Sequence, residues 1–249
     1  MYRFIFISFL FLAQTINAQQ FISAGKLTFE RKVAQFTLID NLNDNGGEDN
    51  FWITEMKKVY PKMVTDYYTL EFNNSSSLFK VEKENSDNKY MIDGLKPSEL
   101  NYVFQEFNDG FTTMTRGIFE NQYLVKDSIK QFQWKITGEV RDIAGFECKK
   151  ALSKINDSVV VVAFYTDQIL VKGGPENFNG LPGMILGLAV PRLALTLFAT
   201  KLELGNPTLM PKLPTKPKYV KYSQITQDVE KGLKTWGKEG KAIAWIINL

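Results

Sequence analysis

Ser158-Val-Val-Val-Val-Ala-Phe-Tyr165 is the stretch on which the fold class turns. Turn-forming Asn156-Asp157 precedes it, and Asp167 follows two residues after its end. Branched and aromatic side chains are stiff about χ1 and suit a pleated surface. A run this short, without polar alternation, predicts a strand buried on both faces near the middle of a sheet.

Outward from that run the dominant periodicity is two. Lys26-Leu-Thr-Phe-Glu30 alternates; Trp134, Ile136, Gly138 and Val140 sit two apart, as do Leu195, Leu197 and Ala199. The pattern predicts strands over 24–31, 33–39, 51–59, 63–72, 77–82, 111–116, 118–126, 131–139, 145–154, 158–166, 183–190 and 193–203. Turn chemistry separates them at 43–48, 73–77, 85–88, 108–110 and 156–157. The expected fold is mainly β: an antiparallel curved sheet or open barrel with a short C-terminal helix.

Two regions depart from this period. Residues 91–107 are expected to hold a helical turn after Pro97 or a long connection. Pro211-Lys-Leu-Pro-Thr-Lys-Pro217 reads as an extended linker over 211–221. Beyond it, Ile225, Val229, Leu233 and Trp236 share one face of a helix expected over 222–237, with Ser223 as cap. Residues 242–249 are read as a last weak strand.

Arg3 is followed by the apolar run Phe4–Ala13, then by Ile16-Asn17-Ala18. That order reads as a secretory signal peptide over 1–18, cleaved near Ala18–Gln19. Ten helical residues span only about 15 Å, too little for a hydrocarbon core roughly 30 Å thick. Residues 19–249 then form one exported domain, in the periplasm or associated with the outer membrane and cell envelope. No later apolar stretch is long enough to cross a bilayer as a helix.

The 249-residue chain holds one cysteine and no histidine. A single Cys148 cannot form an internal disulfide, so the core must supply stability, and the thiol is expected to be buried. Without histidine, Ser-His-Asp and Cys-His machinery and nearly all zinc and copper sites are excluded. The formal charge is +3, and eight Lys against three acids lie in 211–249. That lysine-rich tail is read as solubilising, with no nucleic-acid partner.

Asp40-Asn-Leu-Asn-Asp-Asn-Gly-Gly-Glu-Asp49 fails as a calcium loop, because position twelve counted from Asn41 is Trp52. A hairpin turning at Asn45–Gly46 accounts for it better. Paired carboxylates for hydrolysis could come from Glu120, Asp127, Glu139, Asp142, Glu147, Asp167 or Glu176, although solvated strand faces also explain them. No cofactor or metal is expected.

The most constrained segment is Gly173-Gly-Pro-Glu-Asn-Phe-Asn-Gly-Leu-Pro-Gly-Met-Ile185. Gly opens positive φ and close backbone approach, and Pro fixes φ and removes a donor. The segment is not a phosphate cradle, since it lacks the Gly-Lys-Ser/Thr sequence. It is either a structural loop wedging Phe178 and Leu181 over one end of the sheet or the apolar lip of a ligand groove. In the second case Pro175, Phe178, Gly180, Leu181, Pro182, Gly183 and Met184 are the ligand-binding candidates. Leu181→Asp separates the two: lost binding with an intact fold for a lip, unfolding for a wedge.

Gly180-Leu-Pro-Gly-Met-Ile185 resembles the signature of the GLPGLI family, exported proteins of Gram-negative bacteria. Gly174-Pro175 and Phe178 match the approach to that motif. Trp134, Gly145-Phe-Glu-Cys-Lys-Lys-Ala151 and Ala163-Phe-Tyr-Thr166 are similar to the family's preceding strands. Met184 stands where Leu is usual, Phe164 where Trp is usual and Phe146 where Tyr is usual. The Gly-Arg often seen before the Ala-aromatic strand is replaced by Asp157-Ser-Val, so no role for that arginine carries over. The resemblance implies export and a β-rich fold, and names no catalytic residue. The expected function is therefore non-enzymatic binding of an apolar ligand or envelope protein. A structural envelope component, or a carboxylate-based hydrolase, is the alternative.

Overall fold

The structure is a computed structural model that describes residues 21–42, 51–118, 121–156, 159–211, 219–233, 240 and 244–246. The expected signal peptide, the 43–48 turn with its Asn45–Gly46 hairpin and calcium-like run, and Trp236 lie outside the described residues. So does most of the Pro/Lys linker.

Twelve strands form one open sheet. They are β1 (Gly25–Val33), β2 (Val64–Phe72), β3 (Ser76–Val81), β4 (Tyr102–Glu106), β5 (Phe111–Ile118), β6 (Asn121–Ser128), β7 (Lys135–Ile143), β8 (Phe146–Asn156), β9 (Val159–Thr166), β10 (Met184–Val190), β11 (Leu195–Leu204) and β12 (Tyr219–Val220). Their order is β12-β6-β5-β4-β3-β2-β1-β11-β10-β9-β8-β7. Two antiparallel meanders, β1–β6 and β7–β11, are thus fused where β1 pairs with β11. Among the twelve strands only the two-residue β12 pairs in parallel, with β6; an isolated parallel bridge also joins Ile22 to Ile169.

The connectivity forces curvature. β6 and β7 are ten strand spacings apart in the sheet, roughly 48 Å if it were flat. The link from Ser128 to Lys135 can stretch over only about 25 Å. The sheet therefore curls until its two edges are within reach of residues 129–134. It stays unclosed, since β6 and β7 do not pair.

The inner face of this curl holds the core. Leu27 and Phe29 of β1, Leu70 and Phe72 of β2, Phe79, Val103, Met114 and Val125 lie there in register. Val161, Ala163, Leu188 and Leu197 continue it through the second meander. A buried ion pair is set into it: Arg31 and Asp66 are direct cross-strand partners, 2.7 Å apart. Asp66 also accepts from the Tyr90 hydroxyl (2.5 Å) and Asn88 (2.9 Å), and Arg31 donates to the Leu95 carbonyl (2.5 Å).

Several expected strands are corrected. Residues 33–39 leave the sheet after Val33 and form α1 (Gln35–Leu42), and 51–59 form α2 (Phe51–Val59). In α1, Leu38, Ile39 and Leu42 pack inward at helical spacing, and the Gln35 amide binds the carbonyls of Pro61 and Lys89 (both 3.0 Å). The helical turn expected after Pro97 lies before it, at Asp93–Leu95, and 102–106 is strand β4. Residues 129–134 are a link, so β7 begins at Lys135. Residues 244–246 are helical where a strand was expected.

The strand that decided the class, β9, is real but asymmetric. Val159, Val161 and Ala163 are fully buried, whereas Val160 is 42% exposed. β9 is third from the β7 edge, and on its outer face Val162 and Phe164 are only partly buried. What cover exists comes from the β7–β8 hairpin folding back. Arg141 lies over Phe198 (4.7 Å) and Phe164 (5.8 Å). Gly187 allows that approach, since a Cβ there would meet Ile143 at 2.9 Å and Phe198 at 2.7 Å.

α3 (Tyr222–Leu233) buries Ile225, Val229 and Leu233 as the sequence pattern predicts. Its first amide, from Tyr222, donates to the Asp127 carboxylate of β6 at 3.1 Å. The cap therefore comes from across the fold.

Candidate functional site

The Gly/Pro segment runs between β9 and β10 and is laid into the inner face. Phe178, Leu181 and Met184 are 0–1% exposed, and Pro175 and Gly183 are buried. Gly180 and Pro182 alone among the candidate residues reach solvent. The path is tight at Gly183: φ is +144°, and a Cβ would lie 2.0 Å from the Thr166 carbonyl oxygen. No side chain fits there. Glu176 also has positive φ (+54°), which costs a non-glycine residue roughly 1–2 kcal/mol.

Polar tethers hold the segment to the first meander and to the link between the two. Glu176 pairs with Arg116 of β5 at 2.6 Å, both largely buried. The Asn177 carbonyl accepts from Gln105 of β4 at 3.4 Å. The Asn179 carbonyl accepts from the Trp134 indole at 2.8 Å, and its side-chain amide donates to the Lys130 carbonyl at 3.2 Å. Phe178 packs against Phe132 with its ring tilted by 32°, ring centres 4.8 Å apart. The loop therefore fills the gap between the sheet edges that residues 129–134 bridge.

At that gap the surface is aromatic with one cation. Phe132, Trp134 and Tyr222 are half-buried; Phe132 and Trp134 contact the loop at Phe178 and Asn179, next to the exposed Gly180 and Pro182. The Lys130 ammonium lies 5.1 Å from the Phe132 ring centre and 5.5 Å from that of Tyr222. Burial lowers the lysine's pKa, with no carboxylate contributing to hold the charge. Tyr222 is pushed up to about 12 by burial, opposed by Arg116 and assisted by Glu176. Sequence reasoning missed Lys130, Phe132, Arg116 and Tyr222. The alternation Lys130-Gln-Phe-Gln-Trp134 was legible, but it reads as strand rather than as an edge-to-edge link.

Of the carboxylates considered for hydrolysis, the structure brings only Asp142 and Glu147 together among the described residues, at the exposed surface. Glu139 binds Lys150 (2.8 Å) and Asp167 binds Lys149 (2.7 Å), both at the surface. Asp142 and Glu147 face each other across the exposed β7–β8 hairpin. Asp127 caps α3 and Glu176 is bound to Arg116; Glu120 is outside the described residues. Cys148 is fully buried and its thiol is pushed up to about 12, chiefly by burial, with Asp142 adding to the effect. Among the described residues no cluster of three or more Cys, Asp or Glu side chains could hold a metal ion, and no helix is long and apolar enough to cross a membrane.

Residues 152–187, from β8 to the start of β10, match a family of proteins of unknown function (Porph_ging). No curated protein matches the chain. Among solved structures the fold is similar to PNGF-II in two crystal forms, with TM-scores of 0.53 in each, 14% and 13% identity, and 90% and 87% of this chain covered. The chain spans about a third of PNGF-II, 33% and 34% of its length in the two forms. An uncharacterized conserved protein from Thermus thermophilus matches with a TM-score of 0.39 and 7% identity, over 80% of this chain and 90% of that one.

Proposed function

We propose that this is an exported binding protein of GLPGLI type, acting in the periplasm or cell envelope on an apolar ligand or an apolar surface of a partner. Residues 1–18 serve as its signal peptide, and residues 19–249 form one domain. The observation that carries the reading is the half-buried aromatic wall of Phe132, Trp134 and Tyr222 beside the rigid Gly180–Pro182 rim. Apolar ligands favour concave, aromatic-lined sites on preorganised backbone. Phe178, Leu181 and Met184 serve this site from beneath, by fixing the rim, while Gly180 and Pro182 meet the ligand.

A non-enzymatic role is supported by the state of the reactive groups. The carboxylates set deepest in the fold, Asp66 and Glu176, are both neutralised by arginines. The only thiol is buried and kept protonated, whereas reactive cysteines are exposed thiolates.

The test is to purify the natively exported protein and identify co-purifying molecules by mass spectrometry. Long-chain alkyl ligands such as dodecanol are then titrated against tryptophan fluorescence. Co-purification of an apolar molecule and a saturable response lost in Trp134→Ala are expected. Absence of both would remove the reading.

A further inference from the structure

Resting on that reading, we propose that the ligand is a single-chain amphiphile with a carboxylate head, for which Lys130 is the counter-ion at the aromatic wall. The ammonium is held over two aromatic rings, and no carboxylate lies within ion-pair distance of it among the described residues. A cation drawn out of water is ordinarily paired. Two other charged groups there are already matched, Arg116 by Glu176, and Asp127 by Lys221 and the start of α3, and Lys172 beside the loop is solvent-exposed. Lys130 is thus the partly buried cation at the aromatic wall with no carboxylate against it among the described residues.

The chemistry of the head follows from that count. One ammonium balances a monoanion such as a carboxylate. A dianionic phosphate would leave a charge uncompensated at a half-buried position and would favour an arginine fork. Arg116 is already engaged by Glu176 through one terminal nitrogen. The chain of the amphiphile would lie along Phe132 and Trp134 toward the Gly180–Pro182 rim, with its head over Lys130.

Binding of dodecanoate, dodecanol, dodecyl phosphate and dodecyltrimethylammonium to the full chain, each below its micellar concentration, tests this by calorimetry and tryptophan fluorescence. Dodecanoate should bind at least about tenfold more tightly than each of the others. Lys130→Gln should erase the advantage over dodecanol, and Lys130→Arg should keep it. Equal affinity for dodecanoate and dodecanol, or an advantage that survives Lys130→Gln, would overturn the assignment of Lys130 while leaving apolar binding intact. A preference for dodecyl phosphate would overturn the carboxylate head. If none of the four binds, the underlying reading falls with it.

Discussion

Leu181 is the residue at which the two readings of the signature loop part. Its side chain is 1% exposed and enclosed by core residues. Replacing it with Asp would remove a buried leucine and insert an unpaired charge. Leu→Ala alone costs about 2–5 kcal/mol in a core, so Leu181→Asp should lower the urea midpoint severely or unfold the chain. A variant with unchanged midpoint would show the loop to be detachable. Glu176 is the second informative residue. Glu176→Ala keeps its Cβ and so the cost of the positive φ, and it strands Arg116; breaking a buried pair costs about 3–5 kcal/mol. The double variant Arg116→Met with Glu176→Gln should recover more than half of that loss in a double-mutant cycle. Simple additivity would mean the two residues do not act as a pair.

Among the elements, α3 depends on a cap from β6. Asp127→Ala should cost about 0.5–2 kcal/mol, the usual range for losing a cap, read from thermal or urea unfolding. Asp127→Asn should keep much of the stability, because an amide oxygen still accepts. The amides of Tyr222 and Ser128 and the charge of Lys221 outweigh burial and hold the Asp127 carboxyl below its usual value. A lowered native value means stability that is present above the ordinary carboxylate range and lost as pH falls through the native one. Asp127→Asn should therefore flatten part of the acid limb of the stability–pH curve. The β9–β10 connection makes the opposite kind of demand. Gly183→Ala places a methyl against the Thr166 carbonyl, and no rotamer relieves it. It should destabilise the chain more than Gly180→Ala, which meets open space although its φ of +87° is unfavourable.

At the scale of the molecule, the curled sheet raises several groups together. Cys148, Tyr90, Tyr102 and Tyr222 are each pushed up to about 12, in every case mainly by burial. Raised native values mean that the folded chain holds its protons longer than the unfolded one. Stability is intact below the thiol's ordinary 9.0 and should fall as pH rises beyond it and then beyond the tyrosines' 10.0. Unfolding midpoints between pH 7 and 11 would check this; a flat profile would contradict it. Alkylation of Cys148 should be negligible in the native state at pH 8 and rapid in denaturant, which makes the thiol a reporter of global opening.

The class of fold and its most rigid loop were legible in the residues alone. Period-two alternation marks half-buried strands wherever it occurs, and it located nine strands to within a few residues. Gly183 and its neighbours could be singled out because their conformational limits are properties of single residues. Short apolar runs are ambiguous in period, and that is why 33–39 and 51–59 were read as strands. In Leu38 and Leu42 the spacing of four was present but outweighed by a few neighbouring branched side chains. Tertiary packing settled the rest. The length of the link at 129–134 acquires meaning only once β6 and β7 are known to lie at opposite edges. The curl that follows brings Lys130, Phe132, Trp134, Gly180 and Tyr222 together from positions up to ninety-two residues apart. Contacts of that kind depend on sheet order and curvature, which local side-chain pattern does not encode.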